Sequence, residues 1–221
     1  VSWARKTLLP HNDNRSKWAQ TLQKWRTRQM LEPSCSGLAM LFKAHSTTPA
    51  LAHHNLFFND PADYAGEFEQ IFAQNVPPSH PTFYVCITSK TDPHHAPPNC
   101  ENWFVLVNVP YLSPKFDWQT HGEGYIQSAS RQLEDWRSAV TDVPATAMPK
   151  PHRVISPLSL QNVYGGNRGS IYGFSSNSRT AAFLRPANRA PDIANLHFVG
   201  GSAHPGGGVP LVTLSGMTVA P

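Results

Sequence analysis

Residues 196–220 carry the pattern with the most chemical content. An apolar run, LHFV (Leu196–Val199), leads into GGSAHPGGG (200–208), and a second apolar run, VPLVTLSGMTVA (Val209–Ala220), follows. Glycine serves where a backbone must turn sharply or approach something closely. The first run reads as a short buried strand and the second as the opening turns of an apolar helix. Together, a strand, a glycine loop and a helix N-terminus make a place to hold an anion or the polar edge of a cofactor. By spacing alone the same stretch is equally a plain strand-to-helix turn. It does not match G-x-G-x-x-G, and GGNRGS (Gly165–Ser170) has neither that spacing nor a phosphate-loop lysine.

Other reactive side chains are less organised. The chain has 11 histidines, with adjacent pairs at His53–His54 and His94–His95. Neighbours in a strand point to opposite faces, so such a pair is a poor chelate, and no HExxH or Cys/His zinc spacing occurs. The expectation is no metal. His204, inside the glycine loop, is the histidine best placed for chemistry. No G-x-S-x-G elbow is present in SCSG (Ser34–Gly37) or TLSG. Asp92, Glu101 and Asp192 all read equally well as turn residues. The aromatic runs HHNLFF, TFYV, NWFVLV and IYGF suit either a core or an apolar tunnel for a long hydrophobic substrate, which periodicity does not separate.

The elements that must position these residues are short. DNRSKWAQTLQKWRTRQM (13–30) reads as a helix with Asp13 as N-cap, and LAMLFKA and HHNLFF as strands. DPADYAGEFEQIFAQ opens with Asp60 as cap and Pro61 at the first turn, with Tyr64, Phe68, Ile71 and Phe72 as an apolar stripe. PTFYVCITS and NWFVLVNVP are strands suited to hairpin pairing. EGYIQSASRQLEDWRSAV reads as a further helix, and SPLSLQNVYG as a short one capped by Ser156. Residues 165–193 show little periodicity, as functional loops do.

Composition bounds the class. A chain of 221 residues, 40% hydrophobic and 14% charged, with 21 prolines, folds into many short elements and a sizeable core. The net charge of +4 is dispersed and carries no nucleic-acid signature. A mildly basic, apolar surface suits an anionic membrane face better. Three cysteines without CxxC spacing suit a reducing cytoplasm. A start at Val1 and a stop at Pro221, inside an apolar helix, read as a piece of a longer protein.

Several segments, in order, resemble the FAD-dependent carotenoid desaturases and oxidases of the bacterial and fungal type, typified by phytoene desaturase. They are MLEPSCSGLAMLFK, LAHHNLFFNDPADYAGEFEQIF, PTFYVCITSKTDPHHAPPNCENWFVLVNVP, and RGSIYGFSSNSRTAAFLRPANRAPDIANLHFVGGSAHPGGGVPLVTLSG. They run from about Leu31 to Gly216. The last is the most specific, because it resembles the family's C-terminal flavin-binding segment.

The resemblance implies an α/β fold. Residues 1–156 are then mainly a substrate-binding domain of mixed sheet and helices, and 157–221 return into a Rossmann-like FAD domain. That domain's N-terminal dinucleotide-binding half is missing, so the isolated chain is expected to be inactive. Carried over, Gly200, Gly201 and Ser202 lie near the ribityl–pyrophosphate, and Gly208, Val209 and Pro210 set a helix N-terminus near the flavin ring. Related flavoproteins carry an acidic residue where this chain has Gly201. His204 and Arg185 are the catalytic candidates, from their place in or beside these loops. FAD is the implied cofactor, an acyclic carotenoid the substrate, oxygen or a quinone the electron acceptor, and a membrane surface the partner. The implied location is cytoplasmic and peripheral. ENWFVLVNVP and RGSIYGFSSNSRTAAFLRP look closer to the branch that oxidises terminal methyl groups. The alternatives are a non-catalytic hydrophobic-binding or membrane-docking module, and a flavin amine oxidase relative.

Overall fold

The computed structural model describes residues 32–44, 48–58, 61–141, 150–175, 177, 185–190 and 193–220. The expected helix over 13–30 and its Asp13 cap, and the Asp60 cap, lie outside these residues. The chain divides into two compact units, one spanning Ser36–Leu160. Among the described residues the other comprises 32–35 and 161–220.

The first unit is built on a five-stranded sheet. Its strands are β1 (Ser36–Ala44), β2 (His54–Phe57), β3 (Phe83–Cys86), β4 (Glu101–Val109) and β5 (Arg153–Ile155), in the order β2-β3-β4-β1-β5. The two runs expected to pair as a hairpin do so, as β3 and β4. Every ladder is antiparallel. This corrects the expectation of a mixed sheet: β1 reaches β4 and β5 through long connections, yet runs antiparallel to both.

Alternation along the strands sorts the sheet into two faces. In β4, Glu101, Trp103, Val105, Val107 and Val109 are buried while the residues between them are not. Leu38, Met40, Phe42, Phe57, Phe83 and Val85 join them on the core face. Helix α2 (Trp118–Val140) covers this face with Trp118, Ala129 and Leu133; its predecessor α1 spans Pro61–Phe68. Asp117 starts α2 by accepting from Gln119 N–H at 2.9 Å and Thr120 Oγ1 at 2.6 Å. The sequence pattern begins this helix only at Glu123, five residues after its actual start. Gly122 makes room for a neighbour: a Cβ there would lie 3.1 Å from the Trp118 ring.

Charged groups inside this unit are paired. The Glu101 carboxylate lies 2.6 Å from Lys90 Nζ. It also accepts from Thr48 N–H, Thr48 Oγ1 and the Trp103 indole N–H. Burial alone raises the pKa of Glu101, but these donors outweigh it and hold the carboxyl below its ordinary value. Tyr125 donates to Pro78 O at 3.1 Å, and burial raises its hydroxyl pKa, with the Glu67 charge adding to the effect.

The expected stripe on α1 behaves differently. The helix continues as a π-helical turn, Glu69–Gln74, and only Ile71 of the four apolar residues is buried. Tyr64, Phe68 and Phe72 are exposed and stack on one another, with ring centroids 5.1 and 5.9 Å apart. Glu67 takes an inward position because its carboxylate accepts from Thr82 N–H and Oγ1. That polar anchor orients the segment, and the aromatic ridge faces outward.

Short helix α3 (Pro157–Asn162) begins as expected, with Ser156 Oγ accepting from Ser159 N–H at 3.3 Å. In the second unit, helix α4 (Val209–Met217) follows the glycine loop. LHFV, expected as a buried strand, is not one. Among the described residues its ladder partner is a single bridge, Arg189↔His197, and Val199 is 56% exposed. A strand is buried by neighbours on both sides, and one bridge does not provide them. No helix among the described residues is long and apolar enough to cross a membrane.

Candidate functional site

The loop between Val199 and α4 is held by a small polar network. Ser215, on α4 and fully buried, accepts from Gly200 N–H at 3.1 Å and from the Asn188 amide at 2.8 Å. Asn188 also donates to Phe198 O at 3.0 Å and His204 O at 2.8 Å. Neither residue carries a motif, and only their bonding marks them out. Gly208, the N-cap of α4, has φ 104°, which disfavours any L side chain, and no side chain caps the helix. The N-terminal end of α4 is exposed at Gly208, Val209 and Pro210.

The remaining candidates fall in the same unit. Arg185 donates to Gly201 O at 2.9 Å, Phe174 O at 3.0 Å and Tyr172 O at 3.2 Å. Burial pulls its pKa below the ordinary value. The guanidinium thus ties the 172–174 turn to the glycine loop. His204 is exposed; its N–H donates to Pro186 O at 2.8 Å, and the bond to Pro205 is cis. Ser202 packs against Gly173, whose φ is 73°, leaving no room there for a Cβ. With the N–H groups of Gly200, Ala203 and His204 committed to Ser215 Oγ, Gly200 O and Pro186 O, the open end of α4 is what this loop offers a ligand.

α4 is apolar on every side, yet Val209, Leu211, Leu214 and Met217 are exposed.

In the first unit, the sheet face opposite α2 is largely apolar, half-buried along its middle with Ala39 buried, and exposed at Leu56 and Phe104. One row runs Leu56–Tyr84–Leu106–Ala39–Ile155 across all five strands, and the next runs His54–Cys86–Phe104–Leu41–Arg153. Leu56 is 62% and Phe104 38% exposed. Four interstrand steps make each row roughly 19 Å long. The rows suit an extended apolar molecule lying across the strands.

Searching for a family model gives no match. Individual relatives do match. The chain is 35% identical over 189 residues to a 1-hydroxycarotenoid 3,4-desaturase of Flavobacterium sp.. It is 37% identical over 193 residues to a 4,4'-diapolycopene oxygenase of Methylomonas sp. and 36% over 190 residues to a 4,4'-diaponeurosporene oxygenase of Staphylococcus aureus. Each alignment covers 86% of this chain and 37% of the relative, so the chain spans little more than a third of the length of these relatives. An oxidoreductase of Methanosarcina mazei shares the fold, with a TM-score of 0.53 and 17% identity over 93% of this chain and 38% of the other. Along 86% of its length the chain is thus similar to carotenoid desaturases and oxygenases.

Proposed function

We propose that the chain is the C-terminal part of an FAD-dependent oxidoreductase acting on acyclic carotenoids in their biosynthesis. The observation that carries this reading is the 35–37% identity to one carotenoid desaturase and two carotenoid oxygenases along 86% of the chain. Residues 1–156 then serve mainly as the substrate domain, and 157–221 return to the flavin domain. The exposed apolar surface of α4 supports this, since the rest of that domain would cover it.

The apolar sheet face supports an apolar polyene, whose burial there releases water from Leu56, Leu106 and Phe104. Bound flavin supplies the two-electron acceptor for removing hydrogen from an unactivated C–H bond. The residues of this chain align that bond and exclude water. The loop fits such a group on physical grounds: the exposed N-terminus of α4 has no side-chain cap, and Gly208 presents no Cβ. Gly201, Ser202, Val209 and Pro210 complete that edge, while Gly200 holds the loop to Ser215. Of the two catalytic candidates, His204 is exposed, and its imidazole is the one left to act in the chemistry. Arg185 acts by positioning, since its donors are committed to three carbonyls. The reaction is desaturation or oxidation of terminal methyl groups, since the relatives include both a desaturase and oxygenases. Oxygen or a quinone then takes the electrons.

A carotenoid resides in the bilayer, and the outward aromatic ridge of Phe58, Tyr64, Phe68 and Phe72 gives the protein an apolar surface to dock there, from the cytoplasmic side. The test is turnover by the complete purified protein with FAD and an acyclic carotenoid in liposomes. A product lacking two hydrogens, or bearing an aldehyde, is expected. Carotenoid binding without turnover would replace this reading with the non-catalytic one, and absence of both would remove it.

A further inference from the structure

His53 and His54 do not diverge as neighbours in a strand do. β2 begins at His54, so His53 still lies in the preceding turn, and the two rings sit side by side with centroids 4.2 Å apart. Antiparallel register sets Cys86, the last residue of β3, directly opposite His54. One ring nitrogen from each histidine and the Cys86 sulfur all lie within 4.8 Å of one another. The expectation of no metal rested on strand alternation, and that premise fails here.

We propose that His53, His54 and Cys86 form a site for a borderline-soft divalent cation of the zinc class. Two imidazoles and a thiolate select zinc or a similar transition metal over magnesium or calcium, which prefer oxygen ligands. Ligands around tetrahedral zinc lie about 3.5 Å apart, given bonds of about 2.0–2.3 Å. Side-chain rotation at this open edge supplies the closure needed, because His54 is exposed and the other two are half-buried.

Second-layer groups are also in place. Thr91 Oγ1 meets His53 Nδ1 at 2.5 Å, and the Tyr84 hydroxyl meets His54 Nδ1 at 2.9 Å. Oxygen partners of this kind orient imidazole ligands and fix their tautomers. On binding, the Cys86 thiol releases its proton to solvent, sulfur bonds to the metal, and no electrons change hands. The fourth position is left to water.

Such an ion fastens β2, a four-residue edge strand, to β3. The proposal uses no residue of the glycine loop and is independent of the flavin reading.

The test is equilibrium dialysis of the complete protein against Zn2+, followed by Co2+ substitution. One Zn2+ equivalent should be lost in Cys86→Ser but kept in Cys100→Ser. Co2+ should give tetrahedral ligand-field bands in the red that disappear in Cys86→Ser. His54→Ala, which leaves the thiol in place, should weaken binding at least tenfold. Circular dichroism verifies folding of each variant, and the wild-type bands need no variant at all. If wild type takes up no Zn2+, or if folded Cys86→Ser and His54→Ala bind as wild type does, the proposal is wrong.

Discussion

Ser215 on α4 receives the Asn188 amide at 2.8 Å and the Gly200 N–H at 3.1 Å. One buried hydroxyl therefore joins the helix, the chain before LHFV and the first glycine of the loop. Ser215→Ala leaves the half-buried Gly200 N–H without its acceptor and removes one of the three acceptors of the Asn188 amide. A loss of about 1–3 kcal/mol is expected in denaturant unfolding. In the complete protein, flavin affinity should fall with it, as read by fluorescence titration.

Two glycine substitutions should act in opposite directions. Gly124 lies mid-helix in α2 and has nothing within 4 Å of an added Cβ. Gly124→Ala should stabilise by about 1 kcal/mol. Gly173, with φ 73°, would set its Cβ 3.0 Å from the Ser202 Cα. Gly173→Ala should destabilise by about 1–3 kcal/mol. Thermal unfolding of both variants checks the pair.

Glu101 makes stability depend on acid. Its folded pKa is below its unfolded value, so its contribution is fully present above the ordinary 4.5 and is lost as pH falls through the folded value. Glu101→Gln should cost about 2 kcal/mol at neutral pH, moderated because Lys90 keeps partial contact with water. The variant should also show a flatter loss of stability below pH 4.5 than wild type, measured by urea unfolding across pH.

Phe104→Asp tests the apolar sheet face. Phe104 is already 38% exposed, so the fold should survive. A carboxylate in the middle of the apolar row should raise KM for a carotenoid at least about tenfold, by removing apolar contact and adding a charge to desolvate. An unchanged KM would move the substrate off this face.

The aromatic ridge predicts membrane binding. Phe68→Ser with Phe72→Ser removes two exposed rings. Liposome flotation should fall roughly tenfold or more, as each lost ring is worth about 1.5–3 kcal/mol of apolar burial. Circular dichroism should remain unchanged, because neither ring belongs to the core.

Much of this protein follows from local sequence. Alternation in NWFVLVNVP determines which face of β4 is buried, and Ser156 before Pro157 determines where α3 starts. The ordered segments ending in VGGSAHPGGGVPLV carry the resemblance to carotenoid desaturases and oxidases, because a motif is chain-local by nature. The tertiary structure decided what depends on partners distant in sequence. Ile71 is buried and Phe68 is not, because Glu67 is anchored to Thr82, 15 residues away. LHFV meets one bridge rather than two neighbouring strands. His54 faces Cys86 because antiparallel register pairs them, and Asn188 reaches Ser215 because the loop between them folds back. Local pattern records what each residue prefers, whereas register and burial are settled by whichever distant groups satisfy those preferences together.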